Sequence, residues 1–174
     1  MKLPCTLILL MGCLNLTSCN LFFGGEEHKT ELEKLPPITQ TGKTTFGCLV
    51  NGKAFVVSNT SKQVAIFQQG QLQFGASQDS DNKDESLSMN LIDPLDINEA
   101  YLFDGVIYYS GYSLRIGNAI CIYEFDSTFE GSITFSKIDR INYIISGTFE
   151  FSTVTASCDT IRITNGRFDM QYIP

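Results

Sequence analysis

The sequence holds no tryptophan and a single histidine, and its 12 basic residues are outnumbered by 19 acidic ones. Each shortage closes a class of function. His28 lies between Glu27 and Lys29 in a polar stretch, whereas a Ser-His-Asp or Cys-His system needs its base held by surrounding packing. Nucleophilic hydrolysis by that route is excluded. A formal charge of −7 repels nucleic acid and anionic headgroups, so no nucleic-acid partner is expected. The missing tryptophan counts mildly against a sugar-binding face. No apolar run reaches the roughly 18 residues of a spanning helix. Gly24-Gly25 and Gly147 stand in no phosphate-cradling spacing, so no nucleotide or other cofactor is implied.

What is present begins at the N-terminus. Met1-Lys2, an apolar stretch from Leu3 to Leu16, then Leu16-Thr17-Ser18-Cys19 describe a bacterial secretory signal ending in a lipobox. The expected mature chain starts at Cys19, lipid-linked, with 1–18 removed. Leu10-Met11-Gly12-Cys13 is a second lipobox-like tetrapeptide, but cleavage there leaves an apolar core of only about eight residues, the bottom of the signal range. The two or three acyl chains of a bacterial lipoprotein anchor it stably, so the membrane partner is reached through Cys19. Loss of 1–18 leaves 156 residues, one domain's worth, and takes Lys2 with it, so the charge becomes −8. Asn20 in the second mature position lacks the aspartate of inner-membrane retention, and Glu26-Glu27 come late. An outer-membrane protein facing the periplasm is expected.

Three cysteines remain for the folded domain, Cys48, Cys121 and Cys158. The envelope is oxidising, and an odd count predicts one disulfide with one buried free thiol. The spacings of 73 and 37 residues match no zinc-ligand pair, so no metal site is expected. In a plain meander Cys121 and Cys158 fall about 30 Å apart at 3.3 Å per residue, whereas a disulfide spans Cα separations of at most about 7 Å. If the first strand pairs with the last, Cys48 comes near Cys158. That is the expected pair, with no disulfide at all as the alternative.

Residues 19–43 read as an acylated flexible tether: Gly24-Gly25, a charged stretch from Glu26 to Leu35, Pro36-Pro37, then Thr39-Gln40-Thr41-Gly42-Lys43. Thr30 with Glu33 forms a capping box, which predicts a helical turn over Glu31 to Leu35 that Pro36 ends. Isolated helices this short are marginal.

From Thr44 the period is two. Leu72, Phe74 and Ala76 alternate with Gln71, Gln73 and Gly75; Leu87, Met89 and Leu91 with Ser86, Ser88 and Asn90. Ile133 with Phe135, Ile145 with Phe149 and Phe151, and Ile161 with Ile163 continue the pattern. One face for a core and one for water is the antiparallel signature. Asn51-Gly52 and Asn165-Gly166 supply the positive φ angles of two-residue hairpins. Gln69-Gly70, Asp79 to Asp84, Asp93-Pro94, Asp139-Arg140 and Ala156 to Asp159 mark further turns. Residues 44–174 are thus an all-β domain, an antiparallel meander of nine or ten strands forming a barrel or a two-sheet sandwich, with the first strand able to meet the last.

Thr45-Phe46-Gly47-Cys48-Leu49-Val50-Asn51-Gly52-Lys53 near the start, with Ser146-Gly147-Thr148-Phe149-Glu150-Phe151 and Ile163-Thr164-Asn165-Gly166-Arg167-Phe168-Asp169 near the end, resembles a family of small Bacteroidota lipoproteins without assigned function. The likeness covers both ends and is loose over about 60–130. It implies an envelope location and the domain boundary, and brings no catalytic or binding residues with it.

Little in the domain points to chemistry. A glycosidase needs two carboxylates at a set separation, and nothing pairs any two here. Asp79-Ser80-Asp81-Asn82-Lys83-Asp84-Glu85 begins like a calcium loop, but Lys83 takes a ligand position and no glycine follows, so it reads as a solvated hairpin loop. Eight aromatic rings fall between Tyr101 and Phe129. Sheet packing is the ordinary fate of such rings, and a binding platform for a glycan or peptide over Tyr108, Tyr109 and Tyr112 is the sharper reading. Arg162 and Arg167 flank Asn165-Gly166 near Asp159 and Asp169, which predicts hairpin ion pairs. The expectation is a non-catalytic binding or accessory lipoprotein with an unknown protein or glycan partner. The alternatives are a structural envelope component and, less favoured, a hydrolase.

Overall fold

The computed structural model describes residues 29–174. The signal segment, Cys19 with its alternative Cys13, His28 and the tether up to it lie outside the described residues. Eleven strands follow: β1 (Thr45–Val50), β2 (Lys53–Val57), β3 (Gln63–Gln68), β4 (Gln71–Ser80), β5 (Lys83–Ile92), β6 (Ala100–Leu102), β7 (Tyr109–Ile116), β8 (Ala119–Tyr123), β9 (Thr128–Asp139), β10 (Ile144–Thr155) and β11 (Cys158–Gln171). They form two antiparallel sheets, in the orders β2-β1-β11-β10-β9-β6 and β3-β4-β5-β7-β8. The fold is an all-β sandwich, not a barrel. The chain changes sheet after β2, β5, β6 and β8, so it is no plain meander. The expected meeting of first and last strands occurs, with β1 paired to β11.

The alternating residues meet between the sheets. Leu72, Phe74, Leu87, Met89 and Leu91 of the five-stranded sheet and Ile133, Phe135, Ile145, Phe149, Ile163 and Phe168 of the other are all buried. Phe74 stacks across the layers on Phe168 at 4.7 Å and on Phe135 at 6.4 Å. Each such side chain contributes roughly 1.5–3 kcal/mol on burial. Asn51-Gly52 and Gln69-Gly70 turn their hairpins with all four φ angles positive, at 47°, 79°, 51° and 78°, the type I′ requirement.

Asn165-Gly166 corrects the expectation of a hairpin. β11 runs straight through it between β1 and β10. In both ladders three steps on β11 answer two on the neighbour, as Gly166 pairs with Phe149 and Ile163 with Phe151. Asn165, at φ 54°, is the extra residue of a β-bulge. Gly166 lies so close to Phe149 that a Cβ would come within 2.5 Å of its ring. The dipeptide marks left-handed backbone, which a bulge needs as much as a turn does. Arg167 accordingly donates to the Pro36 carbonyl at 3.2 Å. The predicted ion pairs of Arg162 and Arg167 with Asp159 and Asp169 do not form.

The disulfide joins Cys121 to Cys158, not Cys48 to Cys158, with a Cα separation of 6.1 Å. The 30 Å objection fails because β8 lies in the opposite sheet from β10 and β11, so the two cysteines meet across the sandwich, not along one sheet. Tyr123 Oη also crosses, donating to the Asp159 carbonyl at 2.6 Å. Cys48 is the free, buried thiol, and burial pushes its ionisation far above the ordinary thiol range. One disulfide and one buried thiol is the arrangement the odd count predicts.

The tether ends earlier than Lys43. The capping box forms, with Thr30 N donating to Glu33 at 2.7 Å and Glu33 N to Thr30 Oγ1 at 3.3 Å, but the turn docks. Glu31 accepts from Ala54 N of β2 at 2.8 Å and Leu35 is buried. Pro36 lies over Gly47 of β1, where a Cβ would meet its ring at 2.6 Å. Asp169 of β11 then accepts from Thr39 Oγ1 (2.6 Å), Thr41 N (3.0 Å), Gly42 N (2.7 Å), Lys43 N (3.2 Å) and Ser146 Oγ (2.8 Å). Burial pushes the Asp169 carboxyl up, but these donors outweigh it and hold it at about 2. Lys137 of β9 donates to the Gln40 carbonyl at 3.1 Å. Residues 30–43 are therefore a strap across the outer face of the six-stranded sheet.

Candidate functional site

Among the described residues no strap crosses the outer face of the five-stranded sheet. Its register aligns Val64, Gly75, Ser88 and Gly111 in one row across β3, β4, β5 and β7. Ile66, Gln73, Asn90 and Tyr109 form the row on one side, and Ser77, Ser86, Ser113 and Ile122 the row on the other. Two glycines and a serine leave almost no side chain in the middle row, so the surface dips. At Gly75 the backbones are close enough that a Cβ would come within 2.2 Å of the Leu87 carbonyl.

The result is a trough of about 450 Å³ floored by Gln73, Gly75, Ser86, Ser88 and Asn90. A second depression, about 550 Å³, continues from it toward β8 and shares Lys62, Ser77 and Ser86. Both lie within the roughly 300–1,000 Å³ of small-ligand sites. Phe125 closes one end of the first trough, its ring 3.5 Å from where a Gly111 Cβ would stand, and stacks on Tyr109 at 5.2 Å.

The trough is neutral and mostly apolar in its exposed lining, with serine hydroxyls and side-chain amides set among the apolar groups. Ser86 and Ser113 pair at 2.8 Å, while Asn90 Oδ1 is covered and meets no donor among the described residues. A buried acceptor left so costs about 1–3 kcal/mol. The charges nearby are matched. Lys62 pairs with Asp79 at 2.9 Å, Lys83 with Glu85 at 2.8 Å, and Arg115 with Asp84. The acidic stretch 79–85 is thus mostly strand, with a turn only at Asp81-Asn82.

The expected platform of Tyr108, Tyr109 and Tyr112 does not exist as one face. Tyr109 and Tyr112 stand three apart on β7, so strand alternation sends them to opposite sides. Tyr112 points into the core, stacks on Tyr123 at 5.7 Å and donates to buried Glu85 at 2.7 Å. Burial and then the Glu85 hydrogen bond push its phenol well above the ordinary range. Tyr108 packs on Tyr101 at 5.2 Å. Only Tyr109 reaches the outer face, and it does so beside Phe125.

Alternation in the sequence marks the trough residues as water-facing but does not single them out as a site. The usable signal was the kind of polar residue: glycine, serine and amides where long charged chains usually keep an open sheet in solution. Among the described residues no three His, Cys, Asp or Glu side chains are grouped to hold a metal ion. Comparison with known proteins finds no matching family profile, no matching curated protein and no matching solved structure.

Proposed function

We propose that this chain is a non-catalytic binding lipoprotein, anchored through Cys19 to the outer membrane and facing the periplasm, whose open sheet face holds a neutral glycan chain. The anchor rests on the Leu16-Thr17-Ser18-Cys19 motif and on the resemblance to small Bacteroidota lipoproteins. The observation that carries the binding role is the trough over Gly75, Ser88 and Gly111. Hydroxyl and amide groups on its floor suit sugar hydroxyls, which both donate and accept, and Phe125 adds an apolar wall at one end. The matched charges around it favour an uncharged ligand over an ionic one. They also leave Asp79, Asp84 and Glu85 committed to ion pairs, which supports binding over hydrolysis.

A structural role with a protein partner has one observation in its favour. Asp104 accepts from the amides of Val106, Ile107 and Tyr108 at 2.8–3.1 Å, and the loop so fixed presents Val106 at 69% exposure. The two readings separate on an array of neutral oligosaccharides probed with the full-length protein and two variants. Ser88→Trp fills the trough and Thr148→Trp bulks the opposite outer face. Binding lost only in Ser88→Trp supports the glycan reading; binding indifferent to Ser88→Trp, or no binding to any neutral oligosaccharide, overturns it.

A further inference from the structure

The sandwich has four sheet edges, and three are guarded. On β2 the amide of Ala54 is taken by Glu31. On β3 the C-terminal Ile173 pairs in parallel, accepting from Phe67 N at 2.7 Å and donating to the Ala65 carbonyl at 2.9 Å. The β6 edge is only three residues long. Short strands, covers and charges are how proteins keep edges from pairing.

Among the described residues the fourth edge, β8, has none of these devices. Its sequence Ala119-Ile120-Cys121-Ile122-Tyr123 carries no charge and no proline. The two-residue turn Gly117-Asn118 makes Ile116 with Ala119 a hydrogen-bonded pair, so the ladder alternates and the N–H and C=O of Ile120 and Ile122 point away from β7. No other hydrogen bond among the described residues reaches them. Both side chains are exposed, at 61% and 54%. The strand is also held rigid, because the disulfide to Cys158 pins its centre.

We infer that β8 pairs antiparallel with β8 of a second copy, joining two five-stranded sheets. A two-fold axis through Cys121 sets Ile120 opposite Ile122 of the second copy, and Ile122 opposite its Ile120. Every outward backbone group of both residues is then used. The four isoleucine side chains gather on one face, as cross-strand packing favours. The strand complements itself because isoleucine stands on either side of Cys121, and the pairing sets no like charges opposite one another: Glu124 falls opposite Asn118 of the second copy, and Arg115 beside the contact is neutralised by Asp84. The net charge of −7 opposes association and keeps the pairing weak. Five residues a side are far fewer than the 20 to 30 or so of a standard interface, so the pairing is reversible and fills as concentration rises.

The test is sedimentation velocity with amide hydrogen exchange on the full-length protein in detergent, over about 10 μM to 1 mM, where a small interface fills. The expected result is a monomer–dimer equilibrium in which Ile120 and Ile122 amides gain protection with concentration. Ile120→Lys with Ile122→Lys places like charges opposite one another and should weaken the dimer about tenfold or more; Ile141→Lys, at an 86% exposed site elsewhere, should leave it unchanged. Retention of the Cys121–Cys158 bond in the lysine variant verifies its fold. A monomer at every concentration with fast-exchanging Ile120 and Ile122 amides overturns the inference. So does a dimer indifferent to the two lysines, or protection that appears only when another envelope protein is added.

Discussion

The two outer faces of this sandwich are built from similar alternating strands and end differently. Over the six-stranded sheet, residues 30–43 are tied down by Asp169, Lys137, Arg167 and the Ala54 amide. Over the five-stranded sheet no segment among the described residues crosses, and the middle row on β4, β5 and β7 is glycine, serine and glycine. One face uses its outward polar residues to bind the chain's own backbone. The other presents serines and amides around a row of small residues. The opposite face is only partly covered, with a depression of about 370 Å³ left beside the strap at Thr148 and Gly166, whereas the open face carries the larger, continuous trough on β4 and β5, and that is the reason to place function there.

The disulfide couples the edge of the open sheet to the β10–β11 turn of the strapped one. Replacing Cys121 and Cys158 by serine releases a crosslink between positions 37 residues apart, and loop entropy for such a span is about 4 kcal/mol at most. Denaturant unfolding should show a loss of about 2–4 kcal/mol, with exchange rising first in β8.

Freeing the strap comes next. Asp169→Asn removes the charge that five donors share and turns an amide N–H toward some of them. A stability loss of about 2–3 kcal/mol is expected, together with exchange at the Thr41, Gly42 and Lys43 amides. The native protein makes the same change with acid. Because the folded carboxyl is held at about 2, below its ordinary 3.8, its stabilising effect is complete above pH 3.8 and disappears as pH falls toward 2. That contribution is about 2 kcal/mol, so acid unfolding in this window should be shallower in Asp169→Asn than in the native protein. The smallest change is on the open face. Ser88 is exposed, and Ser88→Trp should shift stability by no more than about 0.5 kcal/mol, so any lost binding reports the trough and not the fold.

The core was legible because alternation is local: Leu87-Ser88-Met89-Asn90-Leu91 can face the core in only one way. What could not be read depends on partners far along the chain. Asn165-Gly166 states a backbone angle, and whether a turn or a bulge uses it depends on β1 and β10 flanking the strand. Asp169 and Thr39 to Lys43 lie more than a hundred residues apart, and nothing in Thr39-Gln40-Thr41-Gly42-Lys43 shows that a carboxylate will collect its amides. In β8 the apolar pattern even misleads, since Ile120 and Ile122 face out while Tyr123 is buried. The disulfide failed for the same reason, as it depends on which sheet β8 joins. For the site, the strands and their water-facing residues were readable, but the row of Gly75, Ser88 and Gly111 exists only once the register between three strands is known.

The most direct test of the open-face account is amide chemical-shift mapping of the full-length protein in detergent, titrated with a neutral oligosaccharide bound on the array. Binding to the trough predicts shifts concentrated at Gln73, Gly75, Ser77, Ser86, Ser88 and Asn90, with Thr39 to Lys43 unmoved. Shifts concentrated on the strapped face or on the loop Asp104 to Tyr108, with the trough amides unmoved, would contradict it.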